Sequence, residues 1–515
     1  MKWRAALVSL AIPWLCASSA SALEEVPFRF LEQPGPHRVG LNVVEIYDHS
    51  RTYRPGTDAL GKPFPGERAR PLQLLVWYPS SRSGAKPMTV GSYLDLWATQ
   101  TTFGPPQPPA LAKEWREGMS QTLSSPLWAV RDAPAAEGRF PLVVYAASLS
   151  RPSWENADLC EYLASHGYVV IGVPSMGVTT RGMTTDVAGA NAQAQDISFA
   201  ITHARSLANV DMSMVAVVGC SWGGLSNVFA AARDSRIDAL VALDGSVRYY
   251  PGVVKQAGDV HPEQMTIPLL YFAQGEFSFE DQERYLRGRL ADGPNVLNAW
   301  THGDLVLVRA LGLTHQGFSA MSQRNELDWS DIFPVWKKAD FGRAEAMTGY
   351  AWVARYTLWF LDAYLKHDAA AAKRLEATPA DNGVPRHFLA VSHQPATGVA
   401  ASLEGFRAEV GRRGFDRAAG IYAEFQTFQP AFTLDEVPLV SWAEELIARR
   451  HMSEAVAVLQ LNVHIHPQSA GAHASLGDAY VEQDRRDLAI ESYRRALECD
   501  AHNAVVAGKL ARLTR

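Results

Sequence analysis

Chemistry is easiest to read in this chain where a serine stands between two glycines. The stretch Gly219-Cys220-Ser221-Trp222-Gly223-Gly224 follows the apolar run Met214–Val218, and a helical pattern begins near Leu225. A strand, a sharp turn and a helix around G-x-S-x-G hold a serine in a strained backbone conformation with its hydroxyl exposed. Side chains two positions to either side would collide in such a turn, so Gly219 and Gly223 are required. With Cys220 as the nucleophile, those positions would be Val218 and Trp222, which do not fit. Ser221 is therefore the expected nucleophile, and the helix starting there favours negative charge at the reacting centre.

A serine hydroxyl is a weak nucleophile and needs a base that is itself oriented by an acid. His315 lies in Leu311-Gly312-Leu313-Thr314-His315-Gln316-Gly317-Phe318, just past the apolar run Asp304–Leu311, where it can reach back over the turn. His302 precedes that run and belongs on the opposite rim. Two carboxylates at the carboxyl ends of apolar runs fall between the serine and the histidine, the order this turn demands. Asp244 follows the run Ala239–Leu243, and Glu276 follows Leu269–Ala273. The commoner arrangement favours the later position, yet both residues end a strand, and their positions leave the choice open. Trp222, next after the nucleophile, supplies one oxyanion N–H; the loop after Leu142–Ala146 should supply the second.

The elements that must position these groups show in the rhythm of the chain. Short alternating runs, Val39–Tyr47 and Leu72–Tyr78, read as strands separated by a Gly/Pro/Arg-rich excursion, Arg54–Pro71. From Pro141 onward, runs apolar on both faces (Leu142–Ala146, Tyr168–Val173, Met214–Val218, Ala239–Leu243, Leu269–Ala273, Asp304–Leu311) alternate with helical stretches. That pattern means an α/β fold with a mostly parallel central sheet covered on both sides. Ala351–Lys366 closes it as a helix. Residues 91–140, with several tryptophans and the proline run 105–109, and residues 317–345 read as insertions able to act as a lid. After about 395 the strands stop. Ala418/Tyr422/Pro430, Ala455/Leu459/Pro467 and Ala489/Tyr493/Ala501 repeat one spacing at intervals of 37 and 34 residues. This period, with small and aromatic residues in register, resembles tetratricopeptide helical hairpins and predicts a small all-α region over 396–515.

Composition sets the outer bounds. The 515 residues are 47% hydrophobic and 20% charged with a net charge of −6, a globular profile without the basic surplus that nucleic acid requires. Lys2 and Arg4, the apolar run Ala5–Leu15 and Ala20-Ser21-Ala22 read as a signal peptide over 1–22. The run is too short to span a bilayer, and no other stretch reaches that length. The expected location is therefore periplasmic or secreted, after cleavage near Ala22. Four cysteines exclude a disulfide-built scaffold, and Cys220 is read as a small buried apolar side chain. His464 and His466 lack a third ligand, and no dinucleotide or P-loop fingerprint is present, so no metal or cofactor is expected.

Residues 38–366 resemble the bacterial relatives of platelet-activating-factor acetylhydrolase, in the α/β-hydrolase superfamily that also holds dienelactone hydrolases. The resemblance is carried by Arg70-Pro71-Leu72-Gln73-Leu74-Leu75-Val76-Trp77-Tyr78-Pro79, Leu163-Ala164-Ser165-His166-Gly167-Tyr168-Val169-Val170, the Ser221 turn, His315-Gln316-Gly317-Phe318 and Arg355-Tyr356-Thr357-Leu358-Trp359-Phe360-Leu361. It implies an α/β-hydrolase domain over 23–395. In that family the acid stands 23 residues after the nucleophile, which implies Asp244, with Glu276 as the alternative. The family's His-Gly-Leu oxyanion segment is here Ala147-Ser148-Leu149, which implies Leu149 as the second N–H donor. The expectation is a serine carboxylic-ester hydrolase acting on a small-molecule or lipid ester. Its alternatives are a hydrolase of lactone, polyester or peptide substrates, and a catalytically silent protein whose repeats bind a protein partner. For the repeats themselves, a stabilising cap and a partner-binding platform fit equally well.

Overall fold

The computed structural model describes residues 27–514 apart from 59, 82–83, 105–109, 276–295, 326–340 and 398–401. The expected signal segment, the proline run and Glu276 lie outside the described residues. The strands are β1 (Arg38–Thr52), β2 (Ala69–Ser80), β3 (Val130–Arg131), β4 (Phe140–Ala146), β5 (Val169–Val173), β6 (Val210–Cys220), β7 (Ala239–Leu243), β8 (Leu269–Gln274), β9 (Leu305–Ala310) and β10 (Leu389–Gln394). They form a single sheet in the order β10-β9-β8-β7-β6-β4-β5-β2-β1-β3. From β5 to β9 every pairing is parallel. The flanks turn antiparallel, β2 on β5, β1 on β2 and β10 on β9. Sheet, strand order and flanking helices are consistent with an α/β-hydrolase-like fold.

The reason the sheet is covered twice can be read residue by residue. Val143, Tyr145, Ala216, Val218, Val241 and Leu243 belong to one apolar cluster. Their chain neighbours Leu142, Val144, Val215, Val217, Leu240 and Ala242 belong to another. Successive strand side chains point to opposite faces, so an unbroken apolar run must be buried on both. The first face packs on helices Ala157–Ser165 and Arg343–Tyr364, through Leu159, Leu163, Val353 and Phe360. The second packs on Val187–Ala204 and Gly223–Ala231, through Ile197, Ala200, Leu225 and Val228.

Some elements depart from expectation. Strand β10 carries little apolar signal because it is an edge strand whose one buried residue is Leu389. The closing helix starts at Arg343, eight residues before Ala351, because the Glu345 carboxylate reaches back 3.1 Å to the Gly342 N–H and caps the first turn. Segment 91–140 contains helices Val90–Thr99 and Ala110–Gly118. Its Trp97 and Trp115 are buried in the same cluster as Trp77 and Tyr145. Glu161 ties this segment down, accepting from the Tyr93 hydroxyl (2.6 Å) and the Trp128 and Ala129 amides. Burial pushes the Glu161 carboxyl up to about 8.

Beyond residue 402 the described chain is helical: Leu403–Arg413, Ala418–Phe428, Glu436–Ala448, Met452–Ile465, Ala470–Glu482, Arg486–Cys499 and Ala504–Leu513. Neighbouring helices pack around a third apolar cluster of their own. It includes the repeat positions Ala418, Tyr422, Ala455, Leu459, Ala489 and Tyr493. The helical region meets the sheet through Arg417, 2.9 Å from Asp238, and through Glu409, which accepts from the Thr266 hydroxyl at 2.6 Å. Asp238 and Thr266 precede β7 and β8, so this docking lies at the amino ends of the parallel strands.

Candidate active site

The opposite edge of the sheet holds the Ser221 turn. β6 runs to Cys220, Ser221 takes a left-handed φ of +49°, and helix Gly223–Ala231 starts at once. A Cβ on Gly219 would stand 2.2 Å from the Gly223 carbonyl oxygen, and one on Gly223 would stand 2.1 Å from that of Ala146. Backbone fills both places, so no side chain is tolerated at either. The turn is stitched in place by the Ser221 N–H to the Leu243 carbonyl (3.0 Å) and by the Ser246 N–H to the Ser221 carbonyl (2.7 Å).

Three strand ends converge on the serine hydroxyl. His315 opens a short 3-10 turn after β9, with Nε2 2.9 Å from Ser221 Oγ. Its Nδ1 lies 2.6 Å from Oδ2 of Asp244, which follows β7. Asp244 is fully buried, with its backbone also left-handed at φ +44°. A carboxylate without water must be satisfied by donors of the protein. The Tyr249 hydroxyl lies 3.0 Å from both carboxylate oxygens, and the Gln274 N–H is 3.3 Å from Oδ1. Hydroxyl, imidazole and carboxylate thus form one hydrogen-bonded line, the arrangement that can move a proton off Ser221 while the nucleophile attacks.

The loop after β4 abuts the turn, since Gly223 packs against the Ala146 and Ala147 carbonyls. Trp222 is the N-cap of the helix, and behind it the Gly224 and Leu225 N–H groups bond the Ser221 and Trp222 carbonyls at 2.9 and 3.0 Å. Leu149 stands at the exposed crest of the loop. The loop is held from beneath by Glu155, which is buried and accepts from the Ser148 amide (2.8 Å), the Ser148 hydroxyl and the Tyr145 hydroxyl (3.0 Å). Gln193 donates to the Ala147 carbonyl at 2.7 Å. A carboxylate gripping Ser148 thus braces the segment in which this chain departs from His-Gly-Leu. The Arg151 guanidinium stacks 4.3 Å above the Trp115 ring, which joins this loop to segment 91–140.

No protein-family model and no curated protein matches the chain. A solved structure of a ferulic acid esterase from Streptomyces cinnamoneus is similar to it at 20% identity, covering 66% of this chain and 93% of that chain with a TM-score of 0.45.

The remaining candidates lie outside this hydrogen-bonded line. His302 lines a cavity of about 440 Å³ at the amino edge, together with His261, Met265, Ser402 and Glu409. Cys220 is buried, its thiol turned toward the Phe318 carbonyl at 3.9 Å, and burial pushes that thiol well above its ordinary range. His466 Nε2 is 2.7 Å from the Leu434 carbonyl oxygen. Among the described residues no helix is long and apolar enough to cross a membrane. Reasoning from sequence missed Tyr249, Gln274, Glu155 and Gln193. Nothing in their spacing marks them, although Gln274 does end a strand on the same edge as Asp244.

Proposed function

We propose that this chain is an exported serine hydrolase that cleaves a carboxylic ester of a small molecule or lipid through an acyl-enzyme. The observation that carries this reading is the line Ser221 Oγ, His315 Nε2 and Nδ1, Asp244 Oδ2, at 2.9 and 2.6 Å, on a turn whose geometry forces Ser221 forward. In the reaction, Ser221 Oγ forms a bond to the ester carbonyl carbon while His315 takes its proton. Asp244 holds the imidazole in the tautomer with hydrogen on Nδ1 and offsets the charge that forms. The Trp222 and Leu149 amides receive the oxyanion. As the tetrahedral adduct collapses, the C–O bond to the alcohol breaks and His315 returns the proton to the leaving oxygen. Water then repeats the attack with the same base and frees the acid.

The buried Trp97 and Trp115, joined to the loop of Leu149 through Arg151, support a role for segment 91–140 as a wall beside the site. The helical hairpins beyond residue 402 are taken as tetratricopeptide-like repeats carried on the far edge of the sheet. Mixing the protein with a fluorophosphonate probe and with p-nitrophenyl acetate tests the reading. Ser221 should be labelled and the ester turned over, and Ser221→Ala should abolish both. Folded protein that is neither labelled at Ser221 nor active on esters would overturn it.

A further inference from the structure

Asp244 and His315 belong to a closed ring of hydrogen bonds that two further side chains complete. The Tyr249 hydroxyl lies 3.0 Å from each Asp244 oxygen, and Gln274 Nε2 lies 2.9 Å from that hydroxyl. At its other end, Gln274 Oε1 accepts from the His315 backbone N–H at 2.9 Å. The directions follow from counting hydrogens. A carboxylate only accepts, so the one hydrogen of the tyrosine hydroxyl goes to Asp244. The phenol oxygen then takes the Gln274 N–H, which leaves the amide oxygen for the His315 N–H. Every member of the ring has its orientation set by its neighbours. Tyr249 also sets its ring edge-on to the His315 imidazole, with centroids 6.0 Å apart and planes at 89°.

We infer that Tyr249 and Gln274 are positioning residues for the Ser221 relay, Tyr249 by sharing the Asp244 charge and Gln274 by fixing the backbone that carries the imidazole. The inference rests on the ester-hydrolase reading. The Ser221 hydroxyl is within hydrogen-bond distance of His315 and Ser246, so the effect of Tyr249 and Gln274 passes through Asp244 and His315. A donor on a carboxylate spreads its charge and weakens its pull on a neighbouring imidazolium. With that donor removed, the imidazole holds its proton more tightly and the base becomes available at higher pH. Gln274 acts differently, since it grips the His315 main chain and donates to the Tyr249 hydroxyl, while the Tyr249 donor on Asp244 stays in place.

Other titratable groups face the ring. The Arg248 guanidinium lies 5.6 Å from the Tyr249 ring centre. Tyr271 donates to the Gly245 carbonyl at 2.7 Å, and the Cys220 thiol is turned toward the Phe318 carbonyl at 3.9 Å. Burial pushes the Tyr249, Tyr271 and Cys220 groups well above their ordinary values, so they stay neutral while the base titrates.

The test is the pH profile of ester hydrolysis by the full chain, alongside Tyr249→Phe and Gln274→Met, with thermal melts to check folding. Tyr249→Phe should lower kcat about 10-fold with KM unchanged and move the acid limb of kcat/KM up by about 0.5–1 pH unit. Gln274→Met should lower kcat to a similar extent and leave the limb in place. If both variants melt like the parent and all three profiles superpose, the positioning role is wrong while the ester-hydrolase reading stands. A limb that stays put in Tyr249→Phe, with kcat and KM falling together with the melting temperature, also overturns it. Absence of Ser221 labelling and turnover in the parent instead removes the ester-hydrolase reading and this inference with it.

Discussion

Strand β7 has an aspartate at each end, Asp238 just before Ala239 and Asp244 just after Leu243. Both are carried by the same rigid backbone and both are largely withdrawn from water. Asp244 is surrounded by neutral donors, His315, Tyr249 and the Gln274 amide. Asp238 meets a permanent cation, Arg417, along with the Val215 N–H at 3.0 Å. A cation fixes a carboxylate's charge and makes it a docking point. A titratable imidazole lets the charge respond to a proton moving nearby, which is what catalysis needs. The carboxyl edge of the sheet thus sets a carboxylate against an imidazole, and the amino edge sets one against a guanidinium of the helical region.

Substituting each aspartate in turn breaks this comparison most sharply. Asp244→Asn should lower kcat on p-nitrophenyl acetate by about 10⁴-fold, the scale expected when the wrong tautomer is stabilised, with little change in melting temperature. Glu276→Gln should retain most activity. The reverse order in steady-state rates would move the acid to Glu276. At the other end, Arg417→Ala leaves the Asp238 carboxylate without its cation. The melting temperature should fall by about 2–4 °C, with kcat/KM unchanged. A large loss of activity in a variant that remains folded would mean that the two edges are coupled.

The smallest effect concerns pH. Burial raises the Asp238 carboxyl above its ordinary value even though Arg417 acts to lower it. A carboxyl raised on folding contributes stability that is complete below the unfolded value of about 3.9 and is lost as pH rises through the folded one. Asp238→Asn should therefore gain on the parent by about 1–2 °C in melting temperature between pH 3.5 and pH 7. A gap that is constant across that range would show that Arg417 fully compensates the burial.

The Ser221 turn was legible because its demand is local. Two backbone contacts near 2 Å exclude side chains at Gly219 and Gly223, and that exclusion leaves a mark in the sequence. The doubly buried strands were legible for a similar reason, since Leu142–Ala146 of β4 and every residue of β7 meet an apolar layer whichever way they point. Position alone left the acid undecided, because Asp244 and Glu276 both end strands, and only family resemblance favoured Asp244. Tyr249 and Gln274 stayed hidden because a side-chain hydrogen bond between strand ends has no period and no fixed spacing. Strand β10 was missed for the opposite reason: an edge strand in water is free to be polar. The loop after β4 fell between these cases, since β4 marks where it starts but its support by Glu155 is invisible until the chain is folded.

Cys220 bears on how reactivity is chosen. A thiolate is intrinsically a far stronger nucleophile than a hydroxyl, and here the two side chains are adjacent on one turn. Alternation along β6 sends the thiol into the apolar layer with its proton retained, while the left-handed turn sends the hydroxyl toward the imidazole. The fold thus buries the more reactive atom and sets the less reactive one against the imidazole. The sulfur it leaves behind is buried, so electrophilic attack beside Ser221 is suppressed by direction of the chain, without any change of residue.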